Sequence, residues 1–148
     1  MRRFGVEIEA FGLRRADVVD ALRAAGLRAI LTGRTSADAT AWSVVGDGSV
    51  PYGFEAVSPI LSGSAGLAEV ADVCHVLQRR GARVDRRTGL HVHVDAGGLS
   101  ARALATVICR YARFERQIDT WMPQSRRGNA NRYCRSVTDA DIHARLRL

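Results

Sequence analysis

Two short stretches of the sequence place polar side chains at every second position among apolar ones. Residues 4–11 read FGVEIEAF, and residues 89–95 read GLHVHVD. The polar members are three carboxylates and two imidazoles: Glu7, Glu9, His91, His93 and Asp95. On a β-strand, residues i and i+2 project from one face, roughly 6.5–7 Å apart. Because carboxylate and imidazole groups are ligands of divalent cations, two such faces that converge would form a metal site.

A third acidic side chain, that of Glu55, lies on another predicted strand and could complete this ligand set. Two carboxylates as close as Glu7 and Glu9 repel each other, which raises one pKa unless a cation or an arginine compensates. Each feature alone has an ordinary explanation, since an alternating Glu-x-Glu strand is commonly a solvated face. The combination of the two strand faces with Glu55 favours cation binding.

Alternation and helical periodicity predict the elements that must position these residues. We predict strands at 3–11, 42–45, 53–58, 82–85 and 90–96, and helices at 15–25, 66–80 and from the N-cap Ser100 to about 119. The last helix is expected to bury an apolar stripe: Leu104, Val107, Ile108, Tyr111 and Ile118. The order β-α-β-β-α-β-β-α, without a glycine-rich dinucleotide loop, predicts an α+β fold. We expect a mostly antiparallel sheet with helices on one face.

Composition narrows the class of protein. The 148 residues, 47% of them hydrophobic, predict one domain with a core, with 124–148 loop-rich and mobile. All 22 basic residues are arginines against 15 acidic residues, but the arginines are scattered and aromatics are few, which disfavours nucleic-acid binding. Anionic small substrates such as nucleotide phosphates fit the +7 charge. Unpaired cysteines and the lack of a signal or a membrane-length apolar run predict a cytoplasmic protein.

Five segments, in this order, carry a family resemblance: FGVEIEAFG, WSVVGDGSV, FEAVSPIL, GARVDRRTGLHVHVD and PQSRRGNANRYC. Together they resemble the amidoligase family, a bacterial branch of the carboxylate–amine ligases related to glutamine synthetase and glutamate–cysteine ligase. The resemblance extends from about Arg3 to Cys134. It implies a fold like the glutamine synthetase catalytic domain.

The resemblance also implies roles for individual residues. Two catalytic Mg²⁺ or Mn²⁺ ions would be held by four side chains: Glu7, Glu9, Glu55 and His91. ATP would be contacted by His93 and by Ser49 of the DGS turn. The catalytic group would comprise Asp47 in the same turn and two arginines that contact phosphate or a substrate carboxylate, Arg126 and Arg127.

The implied activity is ATP-dependent formation of an amide bond on an amino acid or peptide, through an acyl phosphate that an amine co-substrate then displaces. Family members continue past the RRxNxYC segment into a TvEFR-like strand, and residues 135–148 contain no match to it. We therefore expect a C-terminally shortened chain, whose site could need a homo-oligomer or a partner chain to complete it. The alternative is a catalytically incomplete metal- and nucleotide-binding module.

A third hypothesis keeps a metal but assigns hydrolysis. In that case His91, His93 and Asp95 would hold zinc, and Glu7 or Glu9 would act as the base. Because the sequence lacks hydrolase spacings such as HExxH, this hypothesis ranks below the ligase.

Overall fold

The structure is a computed structural model that describes residues 1–33, 38–48, 50, 52–127 and 135–137. The chain divides into two compact units, Met1–Asp95 and Ala96–Leu148. Each unit is described by itself, and the expectation of a single domain stays a prediction.

The first unit is a six-stranded sheet with two helices. Its elements are β1 (Arg3–Phe11), α1 (Arg15–Ala24), β2 (Ala29–Leu31), β3 (Trp42–Gly46), β4 (Gly53–Val57), β5 (Leu61–Ser62), α2 (Gly63–Arg79) and β6 (Leu90–Val94). The strand order is β2-β3-β4-β1-β6, and β5 pairs with the first residues of β1. All the strand pairs are antiparallel except β2 with β3, which are parallel.

Alternation along β1 separates a buried face from a polar one. Val6 and Ala10 are buried in the core, and the intervening Glu7 and Glu9 project from the opposite face. The core joins the sheet to α1 and α2 through Val18, Val19, Leu22, Trp42, Val44, Phe54, Ala56, Val73, Val76 and Leu77. In this unit the sheet is mostly antiparallel and both helices pack on one face, while the likeness to glutamine synthetase stays a prediction.

Ser58 keeps β1 hydrogen-bonded where β4 gives way to β5. Its Oγ accepts a hydrogen bond from the Val6 amide at 2.8 Å, and its own amide donates to the Val6 carbonyl at 2.9 Å. The next residue, Pro59, has no N–H to add to the ladder. Ser58 therefore satisfies both backbone groups of Val6, the residue before Glu7.

Two of the predicted elements differ from the structure. The strand predicted at 82–85 is wrong, because only Arg83 pairs, through two 2.9 Å backbone bonds with Phe11. The chain then turns, since the Asp85 carboxylate accepts from the Arg87 amide at 2.8 Å. The short strands β2 and β5 were missed, because two or three residues are too few to show a period.

The second unit is built on α3 (Ala101–Asp119), followed by a short 3₁₀ turn at Gln124–Arg126. The predicted N-cap is confirmed, because the Ser100 hydroxyl accepts from the Ala103 amide at 3.2 Å. The predicted buried stripe is wrong: Ile118 is half-buried and the other four residues are exposed, namely Leu104, Val107, Ile108 and Tyr111. The buried residue of α3 is instead Glu115, whose carboxylate accepts a hydrogen bond from the Val137 amide at 2.9 Å. In the part of the chain that the structure describes, no helix is both long enough and apolar enough to cross a membrane.

Candidate functional site

The register of three strands brings the polar side chains of the sheet together. β1 lies between β4 and β6, so that Glu9 pairs with Glu55 on one side and Glu7 pairs with His91 on the other. Gly5, next on this face of β1, pairs with His93. Directly paired residues in an antiparallel sheet have side chains on the same face. The register thus gathers on one face the residues that the sequence predicted to meet.

Glu7 is the centre of this cluster. Its two carboxylate oxygens lie 2.8 Å from His91 Nδ1 and 3.0 Å from His93 Nε2. One ligand atom from each of Glu7, Glu55 and His91 lies within 4.8 Å of the others. A single divalent cation could therefore contact all three side chains after small rotamer changes. Carboxylate oxygens suit Mg²⁺ and Mn²⁺, and the added imidazole suits a transition metal such as Mn²⁺ better than Mg²⁺.

Glu9 extends the cluster toward Gly89, the residue just before β6. Its Oε1 lies 3.4 Å from His91 Nε2, and its Oε2 accepts a hydrogen bond of 2.6 Å from the Gly89 amide. A Cβ atom on Gly89 would lie 3.3 Å from both the Glu9 carboxylate and the His91 ring. A glycine here leaves room for the Glu9 carboxylate to approach the backbone closely, and this residue was not singled out from the sequence.

The cluster divides its charge unequally. Burial, together with the charge and hydrogen bonding of Glu7, raises the pKa of Glu55 to about 7. Burial also acts to raise the pKa of Glu7, but the His91 hydrogen bond and the His93 charge outweigh it, so that the pKa of Glu7 is lowered. Near neutral pH the Glu7 carboxylate is therefore ionised, whereas Glu55 is protonated in about half of the molecules. A bound cation would offset the repulsion between the negative charges of Glu7 and Glu55.

The raised pKa of Glu55 predicts a pH-dependent stability. The folded chain holds this proton up to about pH 7, whereas the unfolded chain releases it near 4.5. The free energy of unfolding should therefore fall as the pH rises from about 4.5 to 7, by about 1–2 kcal/mol once solvent screening is allowed for. Urea unfolding at pH 5 and 7.5 measures this slope. Glu55→Gln should remove it, and an equal slope in that variant would contradict the assignment.

The predicted site also included Asp47, Ser49, Arg126 and Arg127. Asp47 follows β3 at the turn into β4, where its amide donates to the Gly53 carbonyl at 3.4 Å, and Ser49 lies outside the described residues. Arg126 and Arg127 belong to the second unit. Arg127 donates to the carbonyls of Met122 and Thr120 near the end of α3, so its guanidinium supports local structure. The roles assigned to these four residues stay predictions.

Asp95 does not join the histidines as the hydrolase hypothesis required. Its carboxylate accepts a hydrogen bond from Arg3 Nε at 3.0 Å, and its amide donates to the Arg3 carbonyl at 2.9 Å. The group of possible metal ligands found among the described residues contains His91 with two glutamates instead. This arrangement favours the ligase-type assignment over a zinc site of His91, His93 and Asp95.

Two arginines at the far end of β1 were not predicted as site residues. Phe11 lies on the same face as Glu7 and Glu9, and its ring centroid is 6.0 Å from the Arg83 guanidinium and 5.5 Å from that of Arg87. Arg87 is also held by Asp85 at 2.6 Å. A double-arginine pattern alone could not show which arginines would stack on Phe11.

Comparison with known proteins bears on this arrangement. The family model described as "Putative amidoligase enzyme" matches residues 1–148, the whole chain. The chain belongs to the amidoligase family. Searches of the curated proteins and of the solved structures found no match to this chain. The amidoligase resemblance drawn from five ordered motifs is thus confirmed, and a ligase role in general is supported.

Proposed function

We propose that this amidoligase is an ATP-dependent carboxylate–amine ligase that acts on an amino acid or peptide through an acyl phosphate. The observation that carries the proposal is the convergence of Glu7, Glu55 and His91, whose ligand atoms lie within 4.8 Å of one another. A carboxylate is a poor electrophile for an amine, so it must first be activated by phosphoryl transfer. That step needs divalent cations to neutralise the phosphate charge.

The residues present fit Mg²⁺ or Mn²⁺. Hard oxygen ligands are provided by Glu7, Glu9 and Glu55, and an imidazole nitrogen is provided by His91. Bound there, such ions would neutralise charge on the β- and γ-phosphates of ATP. The side chains themselves supply negative charge and fix its position, because Gly89 anchors Glu9 and the two histidines anchor Glu7.

The charges on this face of the sheet differ from one end to the other. Arg83 and Arg87 lie beyond Glu9, around Phe11, and Arg83 forms no ion pair with a carboxylate among the described residues. A guanidinium stacked on an aromatic ring keeps its N–H groups free to bind phosphate. The basic end is therefore suited to the triphosphate of ATP, next to the carboxylates that would hold its cations.

Replacing Arg83 with glutamine tests this orientation. We expect nucleotide affinity to fall about tenfold, while Mn²⁺ affinity without nucleotide stays unchanged, because a charge-assisted bond to phosphate is worth about 1.5–3 kcal/mol. Fluorescence titration with a labelled, non-hydrolysable ATP analogue measures the first quantity. Arg79→Gln, on α2 behind the sheet, is the matched control. Equal losses in the two variants would contradict the orientation.

The activity itself is tested by phosphate release. Purified protein with ATP and Mg²⁺ is supplied with mixtures of amino acids and peptides, and products are analysed by mass spectrometry for a new amide. We expect phosphate release that needs both a carboxylate and an amine donor and that is lost in Glu7→Gln. Nucleotide binding without any release would instead support the binding-module alternative. Nucleotide binding that ignores both Mg²⁺ and Glu7→Gln would refute the proposed site.

A further inference from the structure

A cleft of about 510 Å³ opens beside the glutamate cluster, at the end of the sheet face opposite to Arg83 and Arg87. All its lining residues belong to the first unit, and Glu7 and His93 form its boundary with the cluster. A volume of this size is in the range of sites that hold small molecules. The cleft thus adjoins the proposed reaction centre and has no role assigned so far.

The charge of the cleft is opposite to that of the chain. Its lining has three carboxylates against one guanidinium, namely Glu7, Asp38, Asp95 and Arg3, within a protein of net charge +7. Arg3 is already paired with Asp95 at 3.0 Å. The hydroxyl and amide of Thr40 lower the pKa of Asp38, which keeps that carboxylate ionised. Such a lining attracts a cation and disfavours phosphate or a second carboxylate.

Apolar residues make up most of the remaining lining, which also contains Ser58 and His93. Val57, Pro59 and Ile60 line one side, and Ile60 is exposed. Gly5 also lines the cleft and adds no side chain to it, and a Cβ atom there would meet Ser58 Oγ at 3.5 Å. A ligand could therefore place an aliphatic chain against the apolar wall while its charged end faces the carboxylates.

We propose that this cleft binds the amine co-substrate, as a primary ammonium group on a short aliphatic chain. The role of this ligand as a co-substrate rests on the proposed function, because an amidoligase needs an amine next to the activated carboxylate. Its binding test does not depend on that function. The cleft lies on the acidic side of the cluster and Arg83 on the basic side, so amine and triphosphate would approach the cations from opposite ends.

The test is an NMR titration of the full chain at neutral pH, without nucleotide or divalent cations. The probes are n-butylammonium, its uncharged analogue 1-butanol and the anion butyrate. We expect n-butylammonium to shift the amides of Gly5, Ser58 and Asp95, and to bind at least about tenfold more tightly than the other two probes. Methylammonium should bind more weakly, by about fourfold for each methylene lost from the apolar wall.

Two variants of opposite charge separate recognition from damage to the fold. Asp95→Asn should weaken n-butylammonium binding about threefold to tenfold, whereas Arg3→Gln should strengthen it, because they change the lining charge in opposite directions. Disruption of the structure would weaken binding in both. Asp17→Asn, in the exposed Arg14–Asp17 pair of α1, is the matched control and should change nothing.

A further variant separates the cleft from the cation cluster. Glu55 does not line the cleft, so Glu55→Gln should leave n-butylammonium binding intact even where it weakens Mn²⁺ binding. Loss of ammonium binding in Glu55→Gln would place the ligand in the glutamate cluster and overturn the proposal. Equal binding of butyrate, or shifts confined to other surfaces, would overturn it too. Amine binding together with absent phosphate release would refute the ligase function and leave the amine site standing.

Discussion

Glu7→Gln is expected to lower the affinity of the chain for Mn²⁺ about 100-fold, the largest effect of any single substitution in the cluster. Glu7 is the residue that both histidines and Glu55 contact, with oxygen–nitrogen distances of 2.8 and 3.0 Å to the rings. Glutamine keeps the shape but removes the charge, and cation affinity depends strongly on the number of charged ligands. Isothermal titration calorimetry or Mn²⁺ electron paramagnetic resonance measures the loss.

The variant has a second expected effect, which separates charge from shape. Besides burial, the charge and hydrogen bonding of Glu7 raise the pKa of Glu55, so the Glu55 pKa should fall toward 4.5 when Glu7 is neutral. Carbon-detected NMR of the carboxyl groups follows this change. Glu69→Gln is the matched control, because Glu69 lies on α2 and accepts from the Trp42 indole at 2.7 Å, a bond that glutamine can also accept. If both variants bound Mn²⁺ as tightly as the original chain, the cluster would not be a cation site.

Phe54→Ala is expected to lower the free energy of unfolding by about 3–5 kcal/mol. Phe54 is fully buried between the sheet and the helices, and truncation removes its apolar contacts and leaves a cavity. The loss is a large part of the 5–15 kcal/mol that is typical of a domain. Since Glu55 is the next residue of β4, we also expect weaker cation binding. Urea unfolding followed by circular dichroism measures the stability change.

Phe114→Ala gives the matched comparison for this prediction. Phe114 lies on an exposed face of α3, with the Arg113 guanidinium 5.8 Å from its ring centroid. Its truncation should cost no more than about 0.5–1 kcal/mol. A similar cost at both positions would show that Phe54 is not packed between the sheet and the two helices.

The fold of the first unit could be predicted where a strand-like or helix-like pattern of apolar residues continues over many positions of the sequence. β1 and β6 alternate over five or more residues, and the amphipathic patterns of α1 and α2 bury Leu22 and Val73. The pattern failed where tertiary contacts decide the outcome. Arg83 pairs with one residue only, because the Asp85 turn follows at once, and β2 forms through parallel pairing with β3. Neither event leaves a periodic signal in so few residues.

The candidate site was predictable in its residue types and only partly in its geometry. Alternation places Glu7 and Glu9 on one face, but alternation cannot say which strand will lie beside β1 or in what register. The pairing of Glu9 with Glu55, and the approach of Gly89 to Glu9, depend on strands about 46 and 80 residues away in the chain. The cleft lined by Asp95 and Gly5 was not predicted for the same reason, since its lining is contributed by four separate segments.

The central position of β1 has a consequence for how the chain folds as it is synthesised. β1 is made before both of its main neighbours, and Glu9 can accept its hydrogen bond from the Gly89 amide only when that residue has been added, 80 residues later. Until β6 has been made, the edge of β1 that pairs with it stays open, even when β4 has already paired with the other edge. Contacts so distant in sequence carry a large loop-closure cost and slow the folding reaction. The proposed catalytic centre is thus completed only after β6 has left the ribosome, when nearly the whole first unit is available to fold.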